Sequence, residues 1–173
     1  MQSVQSIARA LYRIVFRGGT PQRIQFSTQL LLIAIAATLV STIIAGRFFF
    51  SLSAVEIGLL LFTGLSGLYI GAALLTRTVP RPRLRASLLT VFLLLGCAGV
   101  LFVLLIPLRD SISYLSTVAG MAALLAVVSG TTNTVQWAKG TGRGNAALLT
   151  VAFTAVLTAF YTTLRWLLET VFS

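Results

Sequence analysis

Residues 86–108 read ASLLTVFLLLGCAGVLFVLLIPL, an uncharged run bounded by Arg85 on one side and by Arg109 and Asp110 on the other. A bilayer core about 30 Å thick needs roughly 20 apolar residues at about 1.5 Å of rise per residue. This stretch is therefore long enough to cross a membrane as a helix. Working outward, four more runs meet the same test: 26–46, 54–75, 113–136 and 145–168. Short segments holding Arg, Lys, Pro or Gly separate them, which leaves no room for a soluble domain. The expected fold is an all-α integral membrane protein, with a five-transmembrane-helix bundle over residues 26–173 as one domain. Helices joined this tightly mostly pack against their sequence neighbours.

Composition agrees with that reading and narrows the chemistry. Of 173 residues 57% are hydrophobic and 9% charged, against about 25% charged in an ordinary soluble domain. The formal net charge is +10, yet so few charges cannot form a dense nucleic-acid groove, so nucleic acid is not an expected partner. The chain contains no His, one Cys and three carboxylates. These exclude an imidazole base, a disulfide within the chain, a Cys/His zinc site and a Ser-His-Asp triad. No enzyme activity, cofactor or metal site is expected. Cys97 reads as a small apolar filler.

Basic residues in cytoplasmic loops set the orientation of a membrane protein. With the N-terminus inside, Arg9, Arg13, Arg17, Arg23, Arg77, Arg81, Arg83, Arg85, Lys139 and Arg143 fall on the inner side, and Arg47, Arg109 and Arg165 on the outer side. Glu56, Asp110 and Glu169 all lie near outer ends. The expected topology is N-in and C-out, in a bacterial plasma membrane or an organelle inner membrane.

Residues 1–25 form a separate segment. Arg9, Arg13 and Arg17 recur every four positions, while Val4, Ile7, Leu11, Ile14 and Val15 take much of the remaining circumference. That is the pattern of a basic amphipathic interfacial helix whose arginines meet anionic lipid headgroups. Gly18-Gly19-Thr20-Pro21 should stop it, because Pro21 lacks a backbone donor and disfavours helix at Thr20. An Arg-rich, acid-free start also fits a cleavable transit peptide.

Three features stand out within the spans. Gly64, Gly67 and Gly71 share a face of the second, at a small-x-x-x-small spacing that lets helix backbones approach within a bundle or across a homodimer. Gly96, Gly99, Gly120 and Gly130 read the same way with less specificity. On the fifth span Thr150, Thr154, Thr158, Tyr161, Arg165 and Glu169 form a polar stripe, at about 100° per residue. The stripe lines a solvated path or another helix, unless its hydroxyls bond back to their own carbonyls. Val151, Phe153, Val156 and Phe160 are then expected toward lipid. The fourth span ends in Thr131-Thr132-Asn133-Thr134 with Gln136, where Asn133 could serve a vestibule and Gln29 could partner it. The loop at Gly140–Asn145 lacks the Walker spacing and reads as a turn, with Asn145 capping the next helix.

The stretch from Arg17 to Val40, with Phe26-Ser-Thr-Gln29-Leu-Leu-Leu, resembles the opening of the Tic21-like (iron-permease-like) family of cyanobacterial and chloroplast envelopes. The glycine-containing second helix ending at Thr76-Arg77, the following Arg81-Pro-Arg and the Thr131–Val135 segment also resemble it. The first span lacks the tryptophans that family would show, and five spans stand where it is usually drawn with four. The resemblance implies an envelope or plasma-membrane protein associated with metal transport or protein translocation, and identifies no binding residue.

Two functional readings follow. One is transport or permeation of a small solute or metal ion along a path past Thr150, Thr154, Thr158, Tyr161, Arg165, Asn133 and Gln29. The other is a non-catalytic accessory or assembly subunit, as a homo-oligomer or with other membrane subunits. Coupled carriers usually bury an ionisable group near the midplane, and the three acids here all sit near span ends.

Overall fold

The computed structural model describes residues 3–76, 78–109 and 113–172; Arg77 and Asp110 lie outside the described residues. The described chain is helical without a strand. Five of its helices are long and apolar enough to cross a membrane. The helices are α1 (Val4–Arg17), α2 (Thr28–Ile44), α3 (Ala54–Thr76), α4 (Arg81–Arg109), α5 (Ser113–Lys139) and α6 (Arg143–Phe172). The helices outrun the apolar runs at several ends: α4 begins at Arg81 and α6 at Arg143, so Asn145 lies inside the first turn rather than at a cap. The Ala146 amide donates to the Gly142 carbonyl at 3.1 Å.

The core is α4 with α2 and α5 on either side. In lipid there is little hydrophobic drive between helices, so close backbone approach and hydrogen bonds must hold them. The α2–α4 seam has both. Gly96 lies against Ala34 and Thr38, Gly99 against Ser41, and the Thr38 hydroxyl is shared between the carbonyls of Ala34 (2.8 Å) and Phe92 (3.1 Å). On the α4–α5 side Gly120 receives the Phe102 ring and Gly130 receives Leu94. After α2 the chain makes a π-helical turn over Ala45–Phe49, where Phe49, Phe50 and Phe102 stack with centroids 5.0–5.2 Å apart.

These contacts gather Phe26, the start of α4 and the end of α5 at one end of the bundle. There Arg85 lies over the Phe26 ring and Arg83 over Trp137, at 5.9 and 5.7 Å. This is termed the basic end.

Helix α1 packs on the face of α5 toward this end. Ser3 caps its start, and Gly18, with a φ of 63°, closes it in the left-handed conformation that favours glycine. Ala10, Leu11, Ile14 and Val15 are buried with Ile24, Ala34, Leu89 and Leu94, while Arg9, Arg13 and Arg17 are exposed. Val4, expected on the apolar side, is also exposed. A helix of 14 residues is marginal alone in water, so this packing sustains it.

Helices α3 and α6 form an outer antiparallel pair. Gly67 receives Leu157 and Gly71 receives Phe153.

Candidate functional site

The polar face of α6 is the natural candidate for a path, and its threonine hydroxyls are occupied locally. Thr150 donates to the Ala146 carbonyl, Thr154 to Thr150 and Thr158 to Thr154, each at 2.9 Å. Thr162, Thr163 and Thr170 do the same toward the carbonyls of Ala159 and Trp166. A threonine that bonds back in this way satisfies its donor without a partner helix or water, which makes it tolerable in lipid. Thr150 is buried, whereas Thr154 and Thr158 are exposed.

The opposite face does not divide as expected. Val151, Val156 and Phe160 are exposed, but the Phe153 ring turns inward: a methyl built on Gly71 would stand 3.2 Å from it. Val151 shares a shallow groove with Thr154, Ala155, Thr158, Ala159 and Thr162 of α6 and Val128 of α5. Small side chains floor this groove along the middle of α6. Of the five spans, α6 is the least covered, with 6% of its apolar stretch buried against 22–39% for the others.

Toward the C-terminal end of the stripe, charge replaces hydroxyl. The Arg165 Nε lies 2.8 Å from Glu169 Oε1, and its Nη2 lies 3.1 Å from Glu56 Oε1. The first is the i,i+4 pair expected from spacing. The second joins α6 to the start of α3. Glu56 is held by a capping box: its Oε2 accepts from the Ser53 amide (2.8 Å) and hydroxyl (2.9 Å), and its own amide donates to the Ser53 hydroxyl (3.2 Å). Ser53-Ala-Val-Glu56 is the sequence signature of that motif, a signal the reading of spans passed over. Tyr161, half-buried, is one turn from Arg165. Thr63 of α3 is buried, and its hydroxyl has no hydrogen-bond partner among the described residues.

Asn133 and Gln29 do not come together. Asn133 is buried and donates from Nδ2 to the Ile14 carbonyl at 2.7 Å, while Ser129 donates to the Val15 carbonyl at 2.9 Å. Gln29 is exposed at the start of α2. The last carbonyls of a helix lack internal donors, and Asn133 supplies one to the end of α1, while Thr131 and Thr134 of the same cluster line a cavity between α3, α4, α5 and α6. Among the glycines of α3, Gly67 and Gly71 accept α6 side chains, and Gly64 faces open space.

Among the described residues no three of His, Cys, Asp and Glu converge as metal ligands. No protein-family profile, curated protein or solved structure matches the chain.

Proposed function

We propose that this chain is a non-catalytic accessory or assembly subunit of a larger membrane complex, oriented N-in and C-out. The observation that carries this reading is the uncovered groove on α6. It has small side chains suited to close approach by another membrane helix, and its hydroxyls are already bonded within α6.

The orientation rests on the ten-to-three division of Lys and Arg. Helix α1 then lies in the inner headgroup layer with Arg9, Arg13 and Arg17 toward anionic lipid. Asn133, which holds its end, stands six residues before Lys139, or about 9 Å along the α5 axis. An interfacial helix buries its apolar face about 5–10 Å below the headgroups, which fits that depth. The Tic21-like resemblance, with its link to protein translocation, is compatible with a subunit role.

The permeation reading retains one observation, that Thr150 and Thr154 border an interhelical cavity. Asn133 and Gln29 are not among the residues that line it.

Native gel electrophoresis of mildly solubilised membranes tests the proposal. The wild-type chain should migrate in an assembly larger than its own 18.5 kDa plus detergent. Ala155→Phe with Ala159→Phe, which fills the groove, should release it toward the monomer without loss of folded protein. Unchanged migration of that variant contradicts the docking role.

A further inference from the structure

A cavity of ≈ 500 Å³ opens between the basic-end parts of α3, α4, α5 and α6, within the roughly 300–1,000 Å³ of sites that hold small ligands. Leu68, Leu84, Leu88, Val91, Val135 and Phe153 are among the residues of its apolar wall. Five hydroxyl-bearing side chains line it, Thr131 among them, and four have their protons committed: Ser87 to the Arg83 carbonyl, Thr134 to Gly130, Thr150 to Ala146 and Thr154 to Thr150, all at 2.7–2.9 Å. The wall as a whole is predominantly apolar, so a hydrated ion entering it would exchange most of its water for hydrocarbon. A hydrocarbon chain loses nothing.

The mouth differs from the wall. Lys139, the last residue of α5, lines the cavity at the basic end. Two residues earlier Trp137 carries the Arg83 guanidinium over its ring, an aromatic–cation pair typical of headgroup depth. Along α5 the lining runs from Thr131 to Lys139, about 12 Å at 1.5 Å per residue. That is close to the depth of one leaflet, about half of a 30 Å core. An apolar slot one leaflet deep, with a cation at its mouth, matches a single lipid in both charge and length.

We propose that this cavity holds one acyl chain of an anionic phospholipid, with the phosphate against Lys139. The site adjoins the docking groove on α6, with Thr154 lining both, but the side chains altered in the two tests are different.

The test uses the full chain with Trp166→Phe, leaving Trp137 as the fluorophore, in phosphatidylcholine vesicles containing a small fraction of brominated lipid. Brominated phosphatidylglycerol should quench Trp137 severalfold more than the same fraction of brominated phosphatidylcholine. Lys139→Gln should abolish that preference, and Ala72→Leu with Ala152→Leu, which fills the slot but keeps the charge, should abolish it too. Inorganic phosphate should not reverse the quenching, since the chain and not the headgroup alone occupies the site. Equal quenching by both lipids overturns the proposal. So does a preference that survives the filled slot, which would assign binding to the basic rim. Should Lys139→Gln fail to fold, the filled variant carries the same test.

Discussion

Asn133 on α5 donates its side-chain amide to the backbone carbonyl of Ile14 on α1 at 2.7 Å, across 119 residues of chain. With Ser129 bonding Val15 one turn away, α5 supplies the donors that the last turn of α1 lacks. The N-terminal helix is thus fastened to the bundle by hydrogen bonds as well as by its apolar face.

Asn133→Ala removes that fastening and leaves a buried carbonyl unpaired, at a cost of about 1–3 kcal/mol. Trypsin cleavage after Arg13 and Arg17 should accelerate in this variant, with the spans unaffected. A cleavage rate equal to wild type would mean that the apolar contacts alone hold α1.

Gly99→Ala should be among the most damaging single-methyl changes, because the new methyl would overlap Ser41 on a neighbouring span. Overpacking of this kind costs about 1–3 kcal/mol. Ser41→Gly should restore much of the loss by reopening the space, read as recovery of thermal stability in detergent. Gly64→Ala meets nothing within 4 Å and should gain up to about 1 kcal/mol from helix propensity.

Ser53→Ala should loosen the α3–α6 contact more than Glu169→Gln does. The serine orients Glu56, which both caps α3 and meets Arg165, and loss of an N-cap costs on the order of 1 kcal/mol. Spin labels at Val55 and Leu168 should show a broadened distance distribution in Ser53→Ala and little change in Glu169→Gln. The reverse order would place the weight on the i,i+4 pair.

A membrane-impermeant thiol reagent applied from outside should modify Phe50→Cys and spare Gly142→Cys, each in a Cys97→Ala background. Both are exposed positions, at opposite ends of their helices' spans. Reaction of Gly142→Cys alone would invert the N-in, C-out assignment.

The spans could be read from the sequence because a bilayer imposes one length on any apolar run between charges; residues 86–108 suffice to show it. Contacts between spans were less accessible. The α3 glycines share a spacing, yet only Gly67 and Gly71 meet side chains, because that depends on where Leu157 and Phe153 fall on α6. Gly99 carried a weaker pattern but faces Ser41, whose small side chain fixes a close approach. Asn133 was visible as a polar residue at a helix end, but its acceptor is a backbone carbonyl of α1, and backbone acceptors leave no mark in side-chain patterns. The Thr stripe of α6 was legible as a face. Periodicity could not tell local bonding from a solvated path, since both place hydroxyls four residues apart.

Modification of Thr154→Cys and Thr158→Cys by a small charged thiol reagent in native membranes bears most directly on that choice. With Cys97 replaced by Ala, neither position should react from either side, because the face meets protein or lipid and not water, while Gly142→Cys reacts from the inner side as a control. Rapid modification at both positions would show water along the middle of α6, and would contradict the accessory-subunit account in favour of permeation.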